Sequence, residues 1–141
     1  MTGSGKGFCG GIDITDEKFF SGIIESNADD DNDASQRDTA RKSIVLLPQI
    51  LQMQAAFTAL EECPVPVVAA IHGACFGASA GLVCYADVRV CGPDAIFSIR
   101  EVRLRMAADV TLQRFPKLVG FGSRVRELCL TGGEYIICFD V

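Results

Sequence analysis

The sequence has a single histidine, His72, and none of its seven cysteines stands in a Cys-x-x-Cys pair. A structural zinc site needs about four closely spaced ligands of these types, so structural zinc is not expected. Long apolar runs are also missing. The best candidate, Val65 to Ile71, holds seven residues and contains Pro66, far short of the roughly 20 that a membrane-spanning helix requires. The chain opens on glycines and a lysine rather than an apolar stretch, so no signal peptide is read. Positive charge is in deficit, with a net charge of −5. No broad basic surface is expected, which argues against nucleic acid and anionic membranes as partners. An anionic ligand would have to rely on a few local cations. An odd number of cysteines fits reduced, small apolar residues of an intracellular protein better than a disulfide framework.

What is present fits one domain. The chain has 141 residues, 49% apolar and 22% charged, enough for a core of useful size. Residues 2 to 11 are glycine-rich and read as a loop. Asp16 to Glu25 reads as a short helix, and Asp29 to Asp33 as an acidic solvated loop. From Arg37 to Glu62, Ile44, Leu47, Leu51, Phe57 and Leu60 recur at helical spacing. Pro48 should kink that helix or mark a start within it. Pro64 and Pro66 end it. Val65 to Ile71 is apolar without alternation, as in a strand buried on both faces. A turn from His72 to Gly77 leads to a small-residue helix, Ala78 to Ala86. Two short strands, Val88 to Cys91 and Ala95 to Ile99, flank a Gly92-Pro93-Asp94 turn. Helices Val110 to Leu118 and Ser123 to Leu130 follow. Strands alternating with helices predict an α/β fold with parallel pairing.

Three features carry chemistry. Gly10-Gly11-Ile12-Asp13, after Gly5-Lys6-Gly7-Phe8, would let a backbone N–H approach an anion or oxyanion closely; the plain alternative is a glycine turn. Gly73-Ala74-Cys75-Phe76-Gly77-Ala78-Ser79 follows a strand and opens a helix. It is either a second such donor site or a tight connection that packs helix on strand. Glu101 and Asp109 form the third. A carboxylate in an apolar pocket gains basicity and suits the movement of a carbon-bound proton; the alternative is a salt bridge to Arg100, Arg103 or Arg105. Gly77-Ala78-Ser79-Ala80-Gly81 also matches Gly-x-Ser-x-Gly, the nucleophile turn of serine hydrolases. The triad order then needs a histidine after the serine, and His72 precedes it.

In combination these segments resemble a known family. Lys6 to Ile14 is similar to the first oxyanion segment of the enoyl-CoA hydratase/isomerase (crotonase) superfamily, and Cys63 to Gly73 to the strand that leads to its second. Ala86-Asp87-Val88-Arg89 and Leu112-Gln113-Arg114-Phe115-Pro116 continue the match in order. The stretch from Arg100-Glu101-Val102 to Ala107-Ala108-Asp109-Val110 resembles the dienoyl-CoA isomerase branch. The resemblance implies an α/β fold with a crotonase-like ββα spiral core, incomplete at both ends. Residues 1–131 would form this partial core and 132–141 a divergent tail whose apolar run, Tyr135 to Phe139, has no evident partner.

It also implies that the backbone N–H groups of Gly10 and Ala78 bind a thioester oxygen, with Gly11, Ile12 and Asp13 beside the substrate. Glu101 and Asp109 would be the catalytic carboxylates of a 3,5-dienoyl-CoA to 2,4-dienoyl-CoA isomerisation in fatty acid β-oxidation. The substrate would be an acyl-CoA, with no metal or redox cofactor. The family implies a homotrimer or hexamer, whose trimer-building segment this chain lacks, and a mitochondrial or peroxisomal location. Hydratases carry a glutamate where this chain has Gly81, so hydration is disfavoured. Arg105 and Met106 replace smaller family residues and are expected to crowd or charge the pocket. A simpler 3,2-enoyl-CoA isomerase using Glu101 alone, and a non-catalytic interaction subunit, are the alternatives within the family.

Overall fold

Three stretches of chain cross side by side from one small sheet to another, and this shared corner organises the molecule. The computed structural model describes residues 1–16, 39–120 and 122–136. The expected helix after Asp16, the acidic run Asp29 to Asp33 and the tail from Ile137 to Phe139 lie outside the described residues.

In the first sheet, β1 (Val68–Ile71) and β3 (Val88–Cys91) run parallel, with Val68 opposite Val88 and Ile71 opposite Cys91. Thr2 bridges Ala70 on the other side of β1. In the second sheet, β2 (Ala74–Phe76) runs parallel to β4 (Ile96–Ser98), and β5 (Glu134–Tyr135) pairs antiparallel with β4. Cys9 bridges Cys75 on the far edge of β2. Residues 2–9, β1 to β2 and β3 to β4 therefore turn the corner together. Backbone bonds hold the layers through the turn: Phe8 N to His72 O at 2.8 Å, Gly92 N to Ile71 O at 2.7 Å and Ile96 N to Gly73 O at 2.8 Å. The Asp94 carboxylate accepts from Gly73 N–H at 3.2 Å. Asp87 clamps the entry to β1, accepting from Val67 N–H at 2.7 Å while its own N–H donates to Val67 O at 2.9 Å. That reciprocal pair gives the Ala86-Asp87-Val88-Arg89 segment its structural purpose.

The expectation of a strand buried on both faces is corrected. In β1, Ala69 and Ile71 are buried, whereas Val68 is 47% exposed and Ala70 is exposed as well. The core covers one face of the first sheet, and Val88 and Val90 share the open face with Val68. Alternation is hidden in the sequence because the outward residues are apolar too.

The long helix α1 spans Thr39–Glu61 with Pro48 inside it, so Pro48 does not mark a start. Of its apolar series, Phe57 and Leu60 pack against the core, and Phe57 meets the Tyr85 ring edge-on at 6.1 Å. Ile44, Leu47 and Leu51 are 71%, 55% and 53% exposed. Helical spacing identified the helix correctly, while only its last turns reach the body of the fold.

After β2, α2 (Ala78–Leu82) continues into a 3-10 turn, Val83–Tyr85. A second 3-10 turn, Glu101–Leu104, ends at Arg105 with φ 59°. α3 (Thr111–Val119) and α4 (Ser123–Thr131) close the chain onto the second sheet. The Leu112 to Pro116 segment ties α3 to the core: Phe115 is buried, Gln113 Oε1 accepts from Tyr85 OH at 3.0 Å, and Arg114 pairs with Glu61. Of the apolar tail from Tyr135 to Phe139, Tyr135 itself has partners. It is buried and stacks on Phe97 at 5.9 Å and 21°.

Among the described residues six cysteines are free, and no helix is long and apolar enough to cross a membrane. Cys75 and Cys84 are buried and Cys9 is exposed.

Candidate active site

The two glycine segments meet at the N-terminus of α2. Cys9 N donates to Ala74 O and Phe76 N to Cys9 O, each at 3.0 Å, so the chain at Cys9 lies against β2 as an isolated bridge. Gly11 has φ +98°, and a Cβ there would stand 2.7 Å from Phe76 O and 3.6 Å from Ala78 N. Only glycine allows the first loop to come so close to the second. Gly11 N–H donates to Cys9 Sγ at 3.4 Å. The Gly10 N–H has no backbone partner among the described residues. Ala78 is the first residue of α2, and a first-turn N–H has no acceptor within its own helix. The first loop therefore lies beside Ala78 through Gly11, and neither the Gly10 N–H nor the Ala78 N–H has a backbone acceptor among the described residues.

Ser79 fastens this arrangement. Its side chain is 2% exposed, and its hydroxyl reaches Cys9 O at 2.9 Å and Phe76 O at 2.8 Å. The proton that a nucleophilic serine would lose is thus shared between two carbonyls. His72 Nε2 lies against Gly5 O at 3.1 Å, so no histidine activates Ser79. These contacts overturn the serine-hydrolase alternative. Ser79 is a latch that the sequence gave no direct sign of, beyond its place beside the second glycine segment.

Glu101 opens the 3-10 turn and is only 8% exposed. Its Oε1 accepts from Thr111 Oγ1 at 3.0 Å, and its Oε2 is buried with no partner in the structure. The alternative of a salt bridge to the neighbouring arginines is not what forms. Arg100 pairs with Glu134 and lies 3.9 Å above the Phe76 ring. Arg103 and Arg105 are exposed. Arg105 does not crowd the site; it takes the left-handed conformation that ends the turn. Met106 N–H bonds to Glu101 O at 3.0 Å and folds the loop back.

Asp109 precedes α3 by two residues and is half-buried. Its Oδ1 accepts from Val110 N–H at 2.9 Å, and its carbonyl accepts from Gln54 Nε2 of α1 at 3.2 Å. Because Thr111 touches Glu101, Asp109 stands two residues from a direct contact of that carboxylate. Asp13 is exposed, and its Oδ1 takes the Thr15 N–H at 2.9 Å and the Thr15 hydroxyl at 2.6 Å. Those bonds hold its carboxyl below the usual range; Asp13 shapes its own turn. Ile12 is half-buried beside it.

Gly81 links the donor loops to Glu101. It lies one helical turn after Ala78, and a Cβ there would stand 2.8 Å from Thr111 Oγ1. Thr111 therefore stands between Gly81 of α2 and the Glu101 carboxylate. The buried carboxylate of Glu101 thus lies across Thr111 from the helix that Ala78 opens. Nearby, an apolar hollow of about 370 Å³ including its mouth is lined by Ala80, Cys84, Phe97, Phe115 and Tyr135.

A family model described as enoyl-CoA hydratase/isomerase matches residues 1–136. The peroxisomal delta(3,5)-delta(2,4)-dienoyl-CoA isomerase of Arabidopsis thaliana is 43% identical over 136 residues, covering 96% of this chain and 45% of that protein. The mitochondrial delta(3,5)-delta(2,4)-dienoyl-CoA isomerase of Homo sapiens is 42% identical over 132 residues, 93% of this chain and 37% of that protein. Among solved structures, a putative enoyl-CoA hydratase from Thermobifida fusca in complex with acetoacetyl-CoA superposes with a TM-score of 0.69 at 26% identity, over 94% of this chain and 48% of that one. A putative enoyl-CoA hydratase from Streptomyces coelicolor gives 0.68 at 31% identity, over 94% and 42%. The chain spans less than half the length of these relatives. With the spiral of paired strands, the two donor loops and a family match over nearly every described residue, this chain belongs to the enoyl-CoA hydratase/isomerase family.

Proposed function

We propose that this chain carries the proton-transfer site of an acyl-CoA isomerase that converts a 3,5-dienoyl-CoA into a 2,4-dienoyl-CoA. The observation that carries the proposal is the state of Glu101: one oxygen is held by Thr111 and the other is buried without a partner. Such an oxygen is poised to exchange a proton with carbon. In the reaction a proton leaves C2, and its electron pair moves along the conjugated chain. Charge gathers on the thioester oxygen, where the Gly10 and Ala78 N–H groups stabilise it. A proton added at C6 leaves double bonds at C2 and C4. One of Glu101 and Asp109 removes the first proton and the other supplies the second. Nothing in this sequence of steps calls for a metal or redox cofactor.

The relatives named as dienoyl-CoA isomerases support the substrate class, and their peroxisomal and mitochondrial names support a place in the matrix of one of those organelles, in fatty acid β-oxidation. Gly81 supports isomerisation over hydration, since no second carboxylate stands there to activate water beside Glu101. The test is turnover of a 3,5-dienoyl-CoA, followed by the ultraviolet absorbance of the conjugated product, in wild type and Glu101→Gln. A loss of about 100- to 10,000-fold is expected; unchanged turnover rejects the role. A second reading, a 3,2-enoyl-CoA isomerase using Glu101 alone, draws on the hydrogen bond from Val110 N–H to Asp109. Asp109→Asn separates the two: it abolishes dienoyl turnover in the first reading and spares enoyl turnover in the second.

A further inference from the structure

We infer that Thr111 is a positioning residue for Glu101 and that Gly81 is glycine to make room for it. The inference rests on the proposed role of Glu101 as a proton carrier. Thr111 is fully buried at the start of α3. Its single hydroxyl proton goes to Glu101 Oε1 at 3.0 Å. A glutamate has three side-chain torsions, so a carboxylate at the end of it needs a fixed contact to present one chosen oxygen. Thr111 supplies that contact and leaves Oε2 as the unpartnered, buried oxygen.

Gly81 completes the device. A Cβ at this position would stand 2.8 Å from Thr111 Oγ1 and 3.1 Å from Thr111 Cα. A side chain on Gly81 would collide with Thr111 Oγ1 and force α2 or Thr111 to shift. A carboxylate on Gly81 and a hydroxyl at Thr111 thus compete for one space, and in this chain the hydroxyl has it. The base is consequently oriented by a neutral donor rather than by a second negative charge.

The experiment compares wild type, Thr111→Val, Thr111→Ser and Glu101→Gln. Valine keeps the volume of threonine and removes the hydrogen bond; serine keeps the bond. Thr111→Val is expected to lower kcat about 10- to 100-fold, to leave KM within about threefold, and to move the acid limb of kcat to higher pH. Thr111→Ser is expected to restore both. If Glu101→Gln turns over normally, the isomerase reading fails whatever Thr111 does. If Glu101→Gln is inactive and Thr111→Val behaves as wild type, the positioning role alone fails. A second readout needs no turnover: the ¹³C resonance of the Glu101 carboxyl carbon, assigned by its disappearance in Glu101→Gln. It is expected to shift in Thr111→Val and to return in Thr111→Ser, and an unmoved resonance in Thr111→Val overturns the inference.

Discussion

Replacing Ser79 by alanine tests how the donor site is held together. The hydroxyl lies 2.9 Å from Cys9 O and 2.8 Å from Phe76 O, with Cys75 Sγ at 3.6 Å. The substitution removes one oxygen from a site that is 2% exposed, so water cannot freely replace it. Cys9 O keeps the Phe76 N–H at 3.0 Å, while Phe76 O loses its link to α2. Leaving a buried acceptor short of a donor costs about 1–3 kcal/mol. For a chain of this size each kcal/mol lowers Tm by roughly 3 °C, so Ser79→Ala is expected to melt about 3–9 °C below wild type, with a matching fall in the urea midpoint. The affinity for an acyl-CoA should fall as well, because the hydroxyl joins the first loop to the helix that carries Ala78. A variant with the wild-type Tm and affinity would refute the latch. A fluorophosphonate should leave Ser79 unlabelled, since its proton is committed to carbonyls.

Arg105 ends a 3-10 turn at φ 59°, a conformation that costs a non-glycine residue about 1–2 kcal/mol. Arg105→Gly is therefore expected to stabilise the fold by about 0.5–1 kcal/mol after the added freedom of the unfolded chain is counted, a rise measurable by urea unfolding; a loss of stability would show that the arginine side chain contributes more than its backbone costs. Burial pushes the Cys75 thiol up from 9.0 to about 11 and the Cys84 thiol from 9.0 to about 12. The folded protein holds these protons longer than the unfolded chain does. The resulting stability is complete below pH 9 and is lost as pH rises through 11 and 12. Unfolding midpoints measured from pH 8 to 11 should fall, and replacing both thiols by alanine should flatten that slope. At pH 8 iodoacetamide should modify exposed Cys9 well before either buried thiol.

Much of the fold was legible because its signals are local. Glycine and proline set the turns, and spacing set α1, α3 and α4 to within a residue or two. The one-sided burial of β1 was not legible, because Val68, Val88 and Val90 are as apolar as the residues behind them. Nor was the exposure of Ile44, Leu47 and Leu51, since helical spacing reports a face without saying what covers it. At the site, Gly10, Ala78, Glu101 and Asp109 were singled out from residue type and resemblance; in the structure Ala78 opens α2, Gly11 lies beside it, and Glu101 meets Thr111 at the start of α3. Ser79 was noticed only as a nucleophile, and its latch role and the contact of Thr111 escaped because each spans the sequence: Ser79 reaches 70 residues back, and Thr111 ten. Gly81 was noticed for what it lacks; the nearness of Thr111 Oγ1 explains why a side chain is absent there.

The shared corner also fixes when the site can exist during folding. The two glycine segments are joined by contacts between residues 64 to 70 apart, such as Phe8 N to His72 O and Ser79 Oγ to Cys9 O. No local segment can assemble them, so the site forms only with the closure of long-range pairing, a slow step in chains of this kind. The length of the intervening connection matters little, since doubling a loop costs only about 0.6 kcal/mol in closure entropy. Hydrogen exchange at Phe8 and Cys9 should consequently follow global unfolding, not local opening.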